Sequence, residues 1–195
     1  MKIKNQIFLF VLTILFVASC KKGEEDPTFS FRTRKNRVVG DWKLKSGKST
    51  YEETGSNGAV SYSDGFIYSE SGYTYTTGTG WSTQVYAGSH SYKLEFSKDG
   101  TVASTETLDG QAITNKGLWD FNVGVGEVKA KEEINVRYES VQNSNGTKTY
   151  KGNQMSMTYS ILELRNKKMK LRAEYNVKNP DGTGYKYIDY YELVQ

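Results

Sequence analysis

Alternation of apolar and polar side chains runs along the chain from Val38 onward. Val38, Gly40, Trp42 and Leu44 share one face of a first strand and Val39, Asp41, Lys43 and Lys45 the other, because successive strand side chains point to opposite sides. Tyr92, Leu94 and Phe96 alternate in the same way with Lys93, Glu95 and Ser97. Lys98-Asp99-Gly100-Thr101 then supplies an Asp-Gly turn into a Thr/Val strand that runs to Leu108. Trp119, Phe121 and Val123 alternate with Asp120 and Asn122, and Ile134, Val136 and Tyr138 with Asn135, Arg137 and Glu139. Each pattern predicts a strand with one buried face and one wet face.

Met155, Met157, Tyr159 and Ile161 line a further face until the phase slips at Ile161-Leu162, after which Leu162 and Leu164 are the apolar pair; a bulge there absorbs the slip. Arg165 to Lys168 read as a turn, Met169, Leu171, Ala173, Tyr175 and Val177 as one strand face, and Asn179-Pro180-Asp181-Gly182 as another turn. The last strand, Tyr185 to Val194, carries Tyr187, Tyr191 and Leu193 on one side and Ile188, Tyr190 and Val194 on the other, which predicts cover on both faces. From Gly47 to Gly88 the alternation is weaker. Tyr51, Tyr62, Phe66, Tyr68, Tyr73, Tyr75, Trp81 and Tyr86 are scattered among Gly, Ser and Thr, which predicts two or three strands with long loops and a poorly specified register.

Short strands with turns between them, and no helical period of useful length, predict an all-β fold of about eight to ten strands in an antiparallel meander. Such a meander closes into a barrel, which removes the exposed edges, or packs as a sandwich. Nineteen glycines and fifteen tyrosines against two prolines agree with strands and tight turns.

The start of the chain is different. Lys2 and Lys4 precede an apolar run from Ile7 to Ala18, too short for a bilayer span of roughly 18 to 20 residues. Val17-Ala18-Ser19-Cys20 resembles the bacterial lipobox. Residues 1–19 then form a lipoprotein signal peptide, and Cys20, the only cysteine, becomes a lipidated first residue. The other reading is an ordinary secretory signal, which would leave a free thiol in an oxidising compartment. Residues 20–36 are the lipidated cysteine, a charged tether (Lys21 to Pro27) and a basic segment that predicts a short helix, and residues 37–195 are the barrel domain. The expected place is the bacterial cell envelope, anchored in the outer membrane by its lipid. Glu24 to Asp26 are either part of a surface-export signal or simply solvating.

Once residues 1–19 leave, 24 basic side chains face 22 acidic ones, a balance that argues against a nucleic-acid partner. Nor does the chain read as an enzyme. His90, the only histidine, sits in no nucleophile-elbow pattern and reads as a strand-edge residue. Glu132 and Glu133 point to opposite faces, and Asp99, Asp109 and Asp181 each precede glycine as turn residues without calcium-loop spacing. Asn145-Gly146 reads as a hairpin turn, and Lys167, Lys168, Lys170 and Arg172 as a solvated strand end. No cofactor or metal site is expected.

Gly40-Asp41-Trp42 in the first strand, behind the basic segment Arg32 to Arg37, resembles the lipocalins and especially the bacterial lipocalin-like lipoproteins. Phe96 to Val102 followed by Gly117-Leu118-Trp119 resembles their middle hairpin and next strand. Ile161 to Leu164, Met169-Lys170-Leu171 and the aromatic last strand recur in the same order. The resemblance implies a barrel whose floor is closed by Trp42 of the Gly40/Trp42 motif and whose interior holds a small hydrophobic ligand. Tyr92, Phe96, Trp119, Phe121, Met155, Met157 and Tyr159 are the candidate wall. The arginine that typical lipocalins lay over this tryptophan has only Arg172 as a counterpart, and alternation puts Arg172 on the charged face. The alternative function is an envelope module that meets protein or glycan through the Tyr/Gly-rich region 47–88.

Overall fold

The computed structural model describes residues 32–79, 82–122, 133–150 and 155–195. Residues 1–31, on which the expected signal peptide, Cys20 and the expected tether fall, lie outside the described residues, as do Trp81, Val123 and Glu132. A short helix α1 (Arg34–Val38) precedes strands β1 (Gly40–Thr54), β2 (Val60–Ser69), β3 (Gly72–Thr79), β4 (Ser82–Phe96), β5 (Thr101–Leu108) and β6 (Gln111–Phe121). Then come β7 (Glu133–Asn143), β8 (Gly146–Thr149), β9 (Ser156–Leu164), β10 (Lys168–Lys178) and β11 (Gly184–Val194). All pairings are antiparallel, and ten strands close into a meander barrel through the β6–β7 pair, with β8 extending the wall above β9.

Turn chemistry sets this order. Asp99 Oδ1 accepts from the Thr101 amide at 3.0 Å while Gly100 takes φ 92°, as the β4–β5 turn requires. Asp109 and Gly110, both at positive φ, join β5 to β6, Asn145-Gly146 joins β7 to β8, and Asp181-Gly182 joins β10 to β11. The slip expected at Ile161-Leu162 is a register shift in the β9–β10 ladder. A second shift, between Leu44 and Ser46, moves the inward phase of β1 from Trp42 and Leu44 to Gly47, Ser49 and Tyr51.

The barrel differs at its two ends. Gly40 to Lys43 pair directly with Phe96 to Lys93, so eight strands ring that end. Beyond Lys43 the β2–β3 hairpin enters between β1 and β4 and makes the ring ten, and a barrel's diameter grows with strand number. Region 47–88 therefore forms continuous strands rather than long loops. Phe66 and Tyr68 pair inward with Tyr75 and Tyr73, and the Tyr62 hydroxyl meets Thr77 Oγ1 at 2.7 Å; the inward residues Asp64 and Gly88 break the apolar alternation that would reveal this.

The eight-stranded end is sealed. Trp42, Leu94, Phe96, Val102, Ile134, Leu164, Met169, Leu171 and Leu193 fill it, with Val38 of α1 as a plug. Trp42 Nε1 donates to Val38 O at 2.7 Å, Arg37 donates to Leu164 O, and Lys35 Nζ lies 5.9 Å from the Trp119 ring centre. Arg172 stays outside, ion-paired with Glu174.

Gly117 makes the closing seam possible. A Cβ there would lie 1.9 Å from Arg137 O and 2.7 Å from Tyr138 Cα, both backbone atoms that cannot step aside. Gly117→Ala is expected to lower stability by about 3 kcal/mol, at the upper end of overpacking costs. Urea unfolding checks this as a fall in midpoint, and an unchanged midpoint would mean that the seam yields without cost.

Candidate functional site

Above the sealed floor the inward positions change character. Ser49, His90, Ser104, Glu106, Asn115 and Asp189 point inward, framed by Tyr68, Tyr92, Tyr138, Tyr159, Tyr187 and Tyr191. His90 is mid-strand and buried, not at a strand edge. Its Nε2 lies 3.0 Å from Glu106 Oε1, and Tyr68 covers its ring at 4.5 Å between centroids. Ser49 donates to Asp189 across the β1–β11 pair. Tyr191 stacks on Tyr92 at 5.7 Å and meets Tyr159 at 6.5 Å and Tyr68 at 6.4 Å, so the layer holds an aromatic cluster with polar groups set beside it.

Next to this layer the wall is split. β9 and β10 pair only where Leu164 to Ser160 face Met169 to Arg172; the rest of β10 follows β11, while Ser156 to Tyr159 follow β7. The gap is a cleft of about 690 Å³ walled by Met155 and Met157 on one side and Ala173 and Tyr175 on the other. Tyr51, Tyr185 and Tyr187 form its back. Tyr185 lies 6.2 Å from Tyr51 and 5.9 Å from Tyr175. Ala173 pairs directly with Asp189, so a small side chain at the inner end of the cleft adjoins the buried carboxylate.

The candidate wall residues separate along the barrel axis. Met155 and Met157 meet in the cleft, and Tyr92 and Tyr159 lie in the polar layer. Phe96, Trp119 and Phe121 form an edge-to-face series at 5.2 and 5.6 Å in and beside the floor cluster, with Gly40 paired to Phe96 and Trp42 to Leu94. Sequence reasoning missed Asp189, Glu106, Tyr51, Tyr175 and Tyr185 as site residues. A single acid on the inward phase of Tyr187, Tyr191 and Leu193 was the signal for Asp189. The basic stretch near Lys168 is engaged: Lys168 and Lys170 approach Glu163, buried on the outer side of the β9 bulge, at 3.0 and 3.4 Å. Among the described residues no cluster suits a metal ion. The chain matches no family model, no curated protein and no solved structure.

Burial governs the electrostatics of the lumen. It pushes the phenols of Tyr92, Tyr159 and Tyr191 well above their ordinary range and that of Tyr68 up to about 12, so all four are neutral hydroxyls at physiological pH. Burial also raises the Asp189 carboxyl; hydrogen bonds from Ser49, Tyr187 and Tyr191 oppose the rise, and the Glu106 charge adds to it.

A carboxyl whose value is raised on folding contributes stability below its unfolded value that is lost as pH rises through the folded one. The ordinary aspartate value is about 3.9. Wild type is therefore expected to lose stability relative to Asp189→Asn as pH climbs from about 4. Urea midpoints of both proteins at pH 4 and pH 7 check this, and a wild type that holds or gains stability relative to Asp189→Asn between the two contradicts it.

Proposed function

We propose that this chain is a membrane-tethered binding protein whose barrel takes one small, largely apolar molecule through the split between β9 and β10. The cleft carries the reading. Its volume, about 690 Å³, falls within the roughly 300–1,000 Å³ of small-molecule sites. Its wall joins thioethers that adapt to irregular shapes with flat tyrosine faces. The sealed floor supports a receptacle closed at that end, and the lipocalin-like order of motifs is consistent with it. Lipidation at Cys20 would hold the domain at the outer membrane, since each buried CH₂ of a lipid chain adds about 0.8 kcal/mol.

A second reading, an envelope module for protein or glycan, draws on Ile67 and Val85. Both lie on the outer face of the β2–β4 region and are 61% and 63% exposed.

Two measurements test the tethered-carrier reading. Native mass spectrometry of the protein purified from membranes is expected to show a discrete apolar adduct. Tyr175→Arg, at the exposed lip of the cleft, is expected to reduce its occupancy at least tenfold with an unchanged urea midpoint. An adduct-free wild type after exposure to envelope lipids would turn the search to the β2–β4 face. Labelled palmitate is expected to enter the wild-type chain and not Cys20→Ala; equal labelling would remove the tether.

A further inference from the structure

The charges of the barrel are sorted by face. On the ten strands of the ring, the inward register positions of the described residues hold Asp64, Glu106, Asp189 and, exposed towards the wide end, Glu53, and no lysine or arginine; His90 is the one basic side chain among them. The nearest cation on the inner side, Lys148, stands on the exposed β8 extension with its ammonium 5.5 Å from the Tyr150 ring centre. Lysines and arginines of the strands stand outside, for example Lys45 on Glu192 and Arg137 beside Asp120. A chain with more bases than acids thus encloses an acidic interior.

Hydrogen bonding inside has the same bias. Among the described residues, two buried inward side-chain atoms have no hydrogen-bond partner, His90 Nδ1 and Asn115 Oδ1. Glu106 Oε1 accepts from His90 Nε2–H at 3.0 Å, and in that tautomer Nδ1 presents a lone pair. The His90 side chain is 2% exposed, so water does not compensate it. Asn115 Nδ2 donates to Ser104 Oγ at 3.3 Å, which leaves its oxygen free. Both unfilled atoms are acceptors. Buried acceptors without donors are costly, and a ligand that brings N–H groups removes that cost.

Resting on the carrier reading above, we propose that the ligand is an organic cation: an apolar or aromatic body with an ammonium or guanidinium-like head lodged between Asp189 and Glu106. The body lies in the Met/Tyr cleft. The head passes Tyr187 and Ala173, which flank Asp189 at the inner end, and reaches carboxylates that no lysine or arginine of the described residues neutralises. Neutral tyrosine faces attract a cation through their negative π surface, which an anionic lumen reinforces. An anionic molecule, a fatty acid included, would meet Asp64, Glu106 and Asp189 with no countercharge and is disfavoured.

The test is a series with one body and three heads: 3-phenylpropylammonium, 3-phenylpropanol and 3-phenylpropanoate. Each is titrated calorimetrically into the full chain in lipid nanodiscs, with empty nanodiscs as blank. The ammonium is expected to bind at least tenfold tighter than the alcohol, and the carboxylate more weakly than either. Glu106→Gln and Asp189→Asn are each expected to shrink the ammonium-to-alcohol ratio to within about threefold, the loss of one charge partner. Glu106 is part-exposed, so its variant folds even if the Asp189 variant does not. Equal binding of alcohol and ammonium, or a preference for the carboxylate, overturns the charge assignment and leaves the carrier standing. No binding of any of the three also overturns it, with native mass spectrometry deciding the carrier separately.

Discussion

Where β6 meets β7, the last pair of strand edges in the sheet finds its partners. A ten-stranded open sheet would present two rows of unpaired amides and carbonyls, and its inner face would be a surface rather than an interior. Closing it requires the backbones to approach at Gly117 more closely than any side chain permits. Only a closed wall excludes water from His90 and Asp189, and only the exclusion of water gives their missing or matched hydrogen bonds any energetic weight.

Along the barrel axis the wall encloses three environments in sequence. Trp42, Phe96 and their neighbours pack as an ordinary hydrophobic core and supply the stability. Above them, tyrosines close around carboxylates whose burial is unfavourable in isolation, a cost that the floor can bear because it is so completely filled. The split between β9 and β10 then opens the wall at the Met/Tyr cleft, and at the wide end the inward Glu106, Ile113 and Tyr86 meet solvent as well. The stable part and the functional part are thus the same strands read at different heights, and a change at the top, such as at Tyr175, leaves the base untouched.

Much of this was legible in the sequence. Alternation in β4, β7, β9 and β10 gives their inward faces, Asp-Gly pairs give the turns, and the phase slip at Ile161-Leu162 gives a bulge that the β9–β10 ladder contains. The strands of region 47–88 were hidden because their inward phase includes Asp64 and Gly88, which look like loop residues until a neighbour is known. The bulge after Leu44 was hidden for a related reason: past it, the inward residues of β1 are Gly47 and Ser49, which carry no hydrophobic signal. The cleft could not be read at all, since it arises from where two strands stop pairing, and pairing is a property of two segments rather than one.

The β2–β3 hairpin widens the barrel without touching its floor, because β1 and β4 already pair with each other below it. Size and foundation are therefore heritable separately. A lineage that trims or lengthens this hairpin retunes the bore while keeping the same plug, the same tryptophan and the same folding base, so descendants of one barrel can diverge in what they admit without passing through an unfolded ancestor.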